Sequence, residues 1–381
     1  MKVIRVEVVQ REEPIPLPSP WRAAWREPAG TPTTAFQLSF YRLTTDEGIV
    51  GLGPYSGGDP RLALGVDPFQ VGAFWVSHMS GKRAGTSGKG ASGLEIALWD
   101  IIGKATDQPI YRLLGAQRDR MLVYAATSRT MELEAHVQQV QELQAQGFKA
   151  VKLRLHRPNP WDDLAAVAAV REAVGSDLVL LVDANQNNAS QGYNFWSRQT
   201  ALKMARELEA LDVYLLEEPL PRTDIEGLAD IAASVDMFIA GGEHTPTLYD
   251  WREHVIAGAY DILQPDLVMG GNIGITGVRK VADLAEAFGR LVIPHVLLAQ
   301  GNFPLCLAPS LHAMAAVENC PMVEFPYDPP ILTAETTQAF VKEPFDIDED
   351  GCVPLPEGPG LGVEIDEEKL GEVNIVERAS V

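Results

Sequence analysis

The sequence predicts an α/β fold in which a parallel barrel is joined to a smaller α+β domain. Six short apolar runs each end in one ionisable residue, in the order Asp183, Glu217, Glu243, Asp266, His295 and Glu324. These ends are 34, 26, 23, 29 and 29 residues apart, and one strand, one helix and two loops use about 25 to 35 residues. The chain has 381 residues, whereas a barrel needs roughly 200 to 250. The spacing therefore indicates repeated βα units, and the length leaves room for a second domain.

The first domain is expected to cover residues 1–122. Residues 2–9 and 35–52 alternate apolar and polar side chains, which is typical of half-buried strands. Residues 90–115 instead repeat apolar side chains at helical spacing and end at a glycine. Strands and a helix in this order predict a small α+β domain.

Two segments of this domain, about 11–34 and 53–62, are expected to be loops. The first is rich in proline, which cannot continue the flanking strands. Loops longer than about 12–15 residues are usually functional or disordered, and this one carries Arg22, Trp25 and Arg26. We interpret it as a lid that binds substrate, with a surface arm as the alternative, and the glycine-rich second segment as a companion flap at the barrel mouth.

The barrel is expected over residues 123–330, and the turn-rich residues 331–381 are expected to return to the first domain. Apolar runs predict two further strands, at 123–127 and 150–155, before the six described above. Helical periodicity predicts helices near 132–146, 161–174, 198–210, 224–234, 248–258, 273–289 and 303–317. In such a barrel the carboxyl ends of all strands meet at one mouth, where the chemistry takes place.

The composition narrows the possible partners. A formal net charge of −21 repels nucleic acid and anionic membranes, so neither is an expected partner. The three cysteines include no CxxC pair, which argues against a disulfide framework or a thiolate zinc site. The first residues alternate like a strand and contain no apolar signal region. We therefore expect a cytoplasmic protein. A small anionic partner molecule and a homo-oligomer are further expectations, which the composition does not establish.

The carboxylates Asp183, Glu217 and Glu243 end three successive strands, so they are expected to lie side by side at the barrel mouth. Three anions can share such a site only if a cation neutralises them. An all-oxygen set suits a hard divalent ion, and Mg²⁺ above all. The alternative for any one of them is an ordinary surface carboxylate.

Asp266 and His295 end neighbouring strands and are expected to form a pair. A carboxylate beside an imidazole fixes its tautomer and raises its basicity. A lone histidine is more often structural, but one beside an aspartate and across from a metal site is a candidate general base. Glu324, on the last strand, could donate a hydrogen bond to substrate if its pKa were raised.

Lys152, Arg154 and His156 occupy alternate positions on one strand, so they share one face. Buried cations need carboxylate partners or an anionic substrate, and both explanations remain open. Asn185 and His244 lie close in sequence to the predicted metal ligands and are candidates for supporting or substrate-binding roles.

These motifs together resemble the enolase superfamily, and specifically its mandelate racemase-like branch. The resemblance covers nearly the whole chain. It rests on SGLEIALWDIIGK (92–104), VKLR (151–154), VDAN (182–185), LLEEP (215–219), GGE (241–243), QPD (264–266) and IPH (293–295). It implies a modified TIM barrel, (β/α)₇β, under an N-terminal α+β capping domain completed by the C-terminal segment.

The resemblance also implies roles for individual residues. Asp183, Glu217 and Glu243 would bind Mg²⁺, Asp266 and His295 would form the base pair, and Glu324 would be the electrophilic acid. Racemases of this branch carry Lys-X-Lys on the second strand, and the second lysine serves as a second base. Here that position is Arg154, whose guanidinium stays protonated at working pH.

We therefore predict a Mg²⁺-dependent dehydratase that acts on a sugar acid. His295 would remove the proton α to a carboxylate, with Lys152, Arg154 and Glu324 around the developing charge, and a β-hydroxyl would then leave. The first alternative is a racemase or epimerase of a 2-hydroxy acid. The second is a catalytically silent barrel.

Overall fold

A computed structural model describes residues 1–26, 30–81, 90–188, 195–268, 272–296 and 302–381 of the protein. Residues 27–29 of the predicted lid lie outside this range. The first part of the chain contains β1 (Val3–Arg11), β2 (Ile15–Trp21), β3 (Thr33–Phe36), β4 (Ser39–Thr45), β5 (Val50–Pro54), α1 (Val71–His78), α2 (Ser92–Ala105) and α3 (Ile110–Leu113).

The next part alternates strands and helices without interruption. Its elements are β6 (Arg120–Ala126), α4 (Leu133–Ala145), β7 (Ala150–Arg154), α5 (Pro160–Val174), β8 (Val179–Asp183), α6 (Arg198–Ala210), β9 (Val213–Glu217), α7 (Ile225–Ala232), β10 (Phe238–Gly241), α8 (Leu248–Ala257), β11 (Ile262–Leu263), α9 (Gly274–Ala287), β12 (Leu291–Val292), α10 (Phe303–Met314) and β13 (Val323–Pro326). The last part holds α11 (Ala334–Thr337), β14 (Cys352–Pro354), α12 (Glu367–Leu370) and β15 (Val373–Ser380).

Eight strands of the large sheet are parallel and follow chain order from β6 to β12, with β13 paired on the other side of β6. A ninth strand, β14, pairs antiparallel with β6. The ends of the parallel part approach each other where Val292 N donates to Asn319 O at 3.0 Å. Seven βα units and a final strand make up this parallel part, which confirms the predicted (β/α)₇β barrel. Neighbouring parallel strands end at the same level because they are paired in register. For example, Arg154 at the end of β7 pairs with Asp183 at the end of β8.

The smaller sheet is antiparallel, with the order β15, β1, β4 and β5. Val3, Val6 and Val8 of β1 are buried in one cluster with apolar residues of α2, whereas Val9 belongs to the main core. Burial along β1 departs from the predicted alternation, because four successive residues, 6–9, are buried. The C-terminal strand β15 pairs with β1 over Arg5 to Arg11. The end of the chain therefore returns to the N-terminal sheet.

The prediction that residues 11–34 form an irregular loop is wrong in part. Ile15 pairs with Phe36 and Trp21 with Thr33, so β2 and β3 form an antiparallel hairpin. Prolines fit in β2 because it has a partner on only one side in the two-stranded sheet. A short 3₁₀ helix, Ala24–Arg26, follows β2.

The second predicted loop, 53–62, begins in β5 and then packs on the first domain itself. The Tyr41 hydroxyl accepts a hydrogen bond from Gly58 N at 2.7 Å and donates one to Gly58 O at 2.8 Å. Ser56 Oγ donates to Gly90 O at 2.6 Å. A role for this segment at the barrel mouth stays a prediction.

Glu95 of α2 connects the two parts of the protein. Its buried carboxylate accepts hydrogen bonds from Ile275 N at 2.9 Å, from Thr276 N at 3.0 Å and from the Trp99 indole at 3.0 Å. The first two donors belong to the first turn of α9, whose unpaired N–H groups and dipole favour a carboxylate. Glu95 therefore caps a barrel helix from the other domain.

We expect Glu95→Gln to lower the free energy of unfolding by about 1–3 kcal/mol, because an amide replaces one acceptor oxygen with a donor. Urea denaturation measures this loss. Glu253→Gln is the matched control, because the Glu253 side chain is 55% exposed on α8. Equal denaturation midpoints for the two variants would contradict the capping role.

Among the residues described, no helix is both long enough and apolar enough to cross a bilayer.

Candidate active site

Three carboxylates lie at the carboxyl ends of neighbouring barrel strands. Asp183 and Glu217 are the last residues of β8 and β9 and are partners in the parallel register. Glu243 follows the end of β10 by two residues, and all three side chains are buried. The barrel thus gathers the predicted metal ligands at one mouth, and their role as ligands stays a prediction.

Two cations from β7 occupy the interior beside these carboxylates. Lys152 Nζ lies 2.7 Å from Glu217 Oε2 and 2.8 Å from Glu324 Oε1, and its side chain is fully buried. The Arg154 guanidinium forms an ion pair with Asp183. Buried charges without partners would cost several kcal/mol each. Carboxylate partners therefore neutralise both buried cations. This is one of the two explanations that the sequence left open, the other being an anionic substrate.

Glu218 is a fourth carboxylate at this mouth, and the sequence analysis missed it. Both of its carboxylate oxygens are buried and have no hydrogen-bond partner, and its backbone is left-handed, with φ 46°. Burial, together with the charges of Glu243 and Asp183, raises the pKa of Glu218 well above its usual range. Glu218 is the second glutamate of the LLEEP motif (215–219), and this motif is the sequence feature from which it could have been predicted.

The donor set fits a hard divalent cation such as Mg²⁺. Burial and the neighbouring Glu217 raise the pKa of Asp183 to about 7, which shows that negative charge is crowded here. A bound cation would relieve this crowding, and all the donors are oxygens. In the described part of the chain, no three acidic, histidine or cysteine side chains stand at metal-ligand spacing. Asp183 and Glu217 instead contact Arg154 and Lys152.

Asp266 and His295 form the pair that the sequence predicts. Each lies three residues beyond the end of its strand, β11 or β12, and an isolated parallel bridge joins the two residues. His295 Nδ1 lies 2.6 Å from Asp266 Oδ2. His295 Nε2 lies 3.3 Å from Glu243 Oε2 and so faces the carboxylates. Burial lowers the pKa of His295, but Glu243, Glu324 and Asp266 outweigh it and hold that pKa well above its usual range. Asp266 thus orients the ring so that Nε2 faces the mouth.

Glu324 lies within β13 and is surrounded by donors. Its Oε2 accepts a hydrogen bond from Val296 N at 2.9 Å, and its Oε1 contacts Lys152. Burial raises its pKa, but Lys152, His295 and Arg154 outweigh burial and hold the pKa of Glu324 below its usual range. Here Glu324 is an ionised acceptor, so its predicted role as an acid stays a prediction.

Asn185, His156 and His244 lie around the predicted metal ligands. Burial lowers the pKa of His156 to about 4, so the neutral ring donates from Nε2 to Asn185 Oδ1 at 2.9 Å. Asn185 N donates to Asp183 Oδ1 at 2.7 Å. His244 Nε2 lies 2.9 Å from Glu243 Oε1. These contacts orient the two carboxylates, and direct contact with substrate stays a prediction.

The Trp21–Arg26 segment reaches the site through Trp25. The Trp25 ring lies against the Arg154 guanidinium, with its centroid 4.7 Å from Cζ. Arg22 is half-buried, whereas Arg26 is exposed. A contact of either arginine with substrate stays a prediction.

The two parts of the chain match two family models. Residues 6–115 match the mandelate racemase / muconate lactonizing enzyme N-terminal domain. Residues 135–369 match the family described as enolase C-terminal domain-like.

Curated relatives cover most of the chain. A 3,6-anhydro-alpha-L-galactonate cycloisomerase from Streptomyces coelicolor is 32% identical over 89% of this chain and 92% of its own. An L-talarate/galactarate dehydratase from Salmonella typhimurium is 31% identical over 80% of this chain and 71% of its own.

Solved structures share the whole architecture. The L-talarate dehydratase from Polaromonas sp. JS666, complexed with Mg and L-glucarate, has a TM-score of 0.79 at 26% identity. The match covers 100% of this chain and 99% of that one. A racemase from Streptomyces coelicolor A3(2) with bound magnesium has a TM-score of 0.78 at 29% identity, over 97% and 98% of the two chains. The chain therefore belongs to the enolase superfamily, in its mandelate racemase-like branch.

Proposed function

We propose that this protein is a Mg²⁺-dependent dehydratase that removes water from a sugar acid. The observation that carries the proposal is the Asp266–His295 pair, in which His295 Nδ1 contacts Asp266 and His295 Nε2 lies 3.3 Å from Glu243 Oε2. A base held beside buried carboxylates suits removal of a proton α to a carboxylate. Named dehydratases among the relatives support the same reaction class.

Asp183, Glu217 and Glu243 would hold the metal ion. When bound, Mg²⁺ supplies the positive charge that makes the proton α to a carboxylate acidic. His295 removes that proton through Nε2, while Asp266 keeps the ring in position. Lys152, already between two carboxylates, adds positive charge beside the reacting atoms.

The protonated His295 then donates its proton to the leaving β-hydroxyl. The C–O bond breaks as the α,β double bond forms, so the hydroxyl departs as water and an enol remains. The enol becomes a 2-keto acid when a proton is added to its β carbon. One residue serves as base and then as acid, so no second base is needed.

Arg154 supports elimination over two-base racemisation. Its guanidinium pairs with Asp183 and donates from Nε to Thr127 O at 2.7 Å. Nearby carboxylates keep it protonated, and burial does not overcome them. A residue fixed in this way cannot accept a proton from the opposite face of the substrate.

A cycloisomerase is the second candidate, because the Streptomyces coelicolor relative named so is 32% identical over 89% of this chain. The deciding experiment incubates the protein and Mg²⁺ with a panel of sugar monoacids, diacids and their cyclic forms. A 2-keto acid lighter by one water identifies the dehydratase. A product of unchanged mass identifies the isomerase, and no product from any compound contradicts both.

The segment with Arg22 and Arg26 is proposed to bind the distal end of the substrate. An arginine that clamps a carboxylate contributes about 1.5–3 kcal/mol, so we expect either Ala variant to raise KM roughly tenfold to a hundredfold. The increase should be larger for a diacid than for a monoacid. Arg252→Ala, an exposed arginine on α8, is the control, and unchanged KM in both variants would contradict the proposal.

We further propose a capping domain at 1–122, a barrel at 123–330 and a returning segment at 331–381. The protein is proposed to act in the cytoplasm as a homo-oligomer, with a small sugar acid as its partner. The net charge of −21 supports the proposal that nucleic acids and anionic membranes are not partners. Light scattering with size exclusion measures the oligomeric state.

A further inference from the structure

Ser128 lies between the barrel and the Trp21–Arg26 segment. It follows β6 by two residues and is fully buried. Its hydroxyl accepts a hydrogen bond from Trp21 Nε1 at 3.0 Å and donates to Asp328 Oδ2. Its carbonyl accepts a hydrogen bond from Ala24 N at 2.8 Å. One small residue thus contacts the segment at two points and the barrel at a third.

Asp328 fixes the orientation of the Ser128 side chain. Its buried carboxylate also accepts hydrogen bonds from Ser128 N at 3.0 Å, from Arg129 Nε at 2.9 Å and from Gln139 Nε2 at 2.6 Å. Arg129 Nη2 donates to the second oxygen at 2.7 Å. A buried carboxylate with this many donors has one defined orientation. The orientation of the Ser128 hydroxyl is therefore set by the barrel.

Apolar packing also holds the Trp21 side chain in place. Trp21 packs edge-on against Phe36, with ring centroids 5.7 Å apart. Phe36 belongs to a small buried cluster with Ile331 and Leu332, just after Asp328 in the chain. Packing against Phe36 and the hydrogen bond to Ser128 therefore fix the position and the orientation of the Trp21 indole.

Trp25 lies four residues after Trp21, in the short 3₁₀ helix. Its ring covers the Arg154 guanidinium at 4.7 Å, and Arg154 pairs with Asp183. A continuous series of contacts therefore links Asp328 to Ser128, Ser128 to the Trp21–Arg26 segment, and that segment to Arg154.

We propose that Ser128 and Asp328 are positioning residues that hold Trp25 over Arg154 and so shape the substrate-binding side of the mouth. This inference rests on the proposed function for its effect on substrate. The anchoring of the segment itself does not depend on that function. The two parts are therefore tested separately.

The anchoring is tested by trypsin cleavage after Arg22. Ala23 is buried, so cleavage there requires the segment to detach. We expect Ser128→Ala and Trp21→Phe each to accelerate release of the peptide ending at Arg22 about tenfold, since each removes the same hydrogen bond. Ser310→Ala is the matched control, because its buried hydroxyl bonds to Cys306 O within α10. Cleavage at the rate of the unaltered protein in both variants would overturn the anchoring.

The effect on substrate is tested by steady-state kinetics on the same variants. We expect KM to rise about tenfold and kcat to change less than about twofold, since His295 and its partner are untouched. The double variant should be no worse than Ser128→Ala, because that single variant has already lost the hydrogen bond from Trp21 that Trp21→Phe removes. Faster cleavage with an unchanged KM overturns the link to the substrate side. If no substrate is found, the proposed function fails while the cleavage result still decides the anchoring.

Discussion

Removal of Mg²⁺ with a chelator is expected to lower turnover at least a thousandfold, and added Mg²⁺ should restore it. The metal is expected to supply several kcal/mol of charge stabilisation, beyond the positive charge that Lys152 contributes. Lys152 and Arg154 are already engaged by Glu217, Glu324 and Asp183. Activity in increasing chelator measures this, and ordinary turnover in excess chelator would refute the metal assignment.

Isosteric variants distinguish the predicted metal ligands from other carboxylates. Asp183→Asn and Glu217→Gln should each lose metal binding, measured by calorimetry, together with turnover. Each change also disturbs a buried ion pair, so thermal unfolding must show that the variant is folded. Glu253→Gln, on an exposed position of α8, should keep both metal binding and turnover. Metal binding of unaltered strength in a folded ligand variant would contradict the prediction.

His295→Asn is expected to reduce exchange of the substrate α proton by a factor on the order of 10²–10⁴, the usual contribution of a general base. Asparagine removes the proton acceptor and leaves the carboxylates in place. Metal affinity and the binding of a substrate analogue should therefore stay nearly unchanged. Incorporation of deuterium from solvent, followed by NMR, measures the exchange directly.

The control for this variant is His78→Asn, because His78 lies in α1 and its one ring contact among the described residues is a tilted contact with Phe74. It should exchange at the normal rate. Retained exchange in His295→Asn would move the base to another residue. Lys152, buried beside Glu217 and Glu324, is then the next candidate.

The sequence alone determined the barrel and most of its mouth. Strand and helix periodicities are local, so helices such as α6 (Arg198–Ala210) were predicted to the residue. The placement of Asp183, Glu217, Asp266 and His295 followed, because parallel strands with regular connections must end on one side. No long-range contact had to be known for these predictions.

Tertiary structure decided what depends on residues far apart in the chain. Ser128 and Asp328 are 200 positions apart, and neither belongs to a local pattern that indicates their contact. The proline-rich segment was expected to be a loop, but β3 stabilises part of it as a hairpin. Glu324 lies in an ion pair with Lys152, which lowers a pKa that the sequence left open. Hydrogen bonds and charges act over a few ångströms in space, so only the folded chain determines which distant side chains they join.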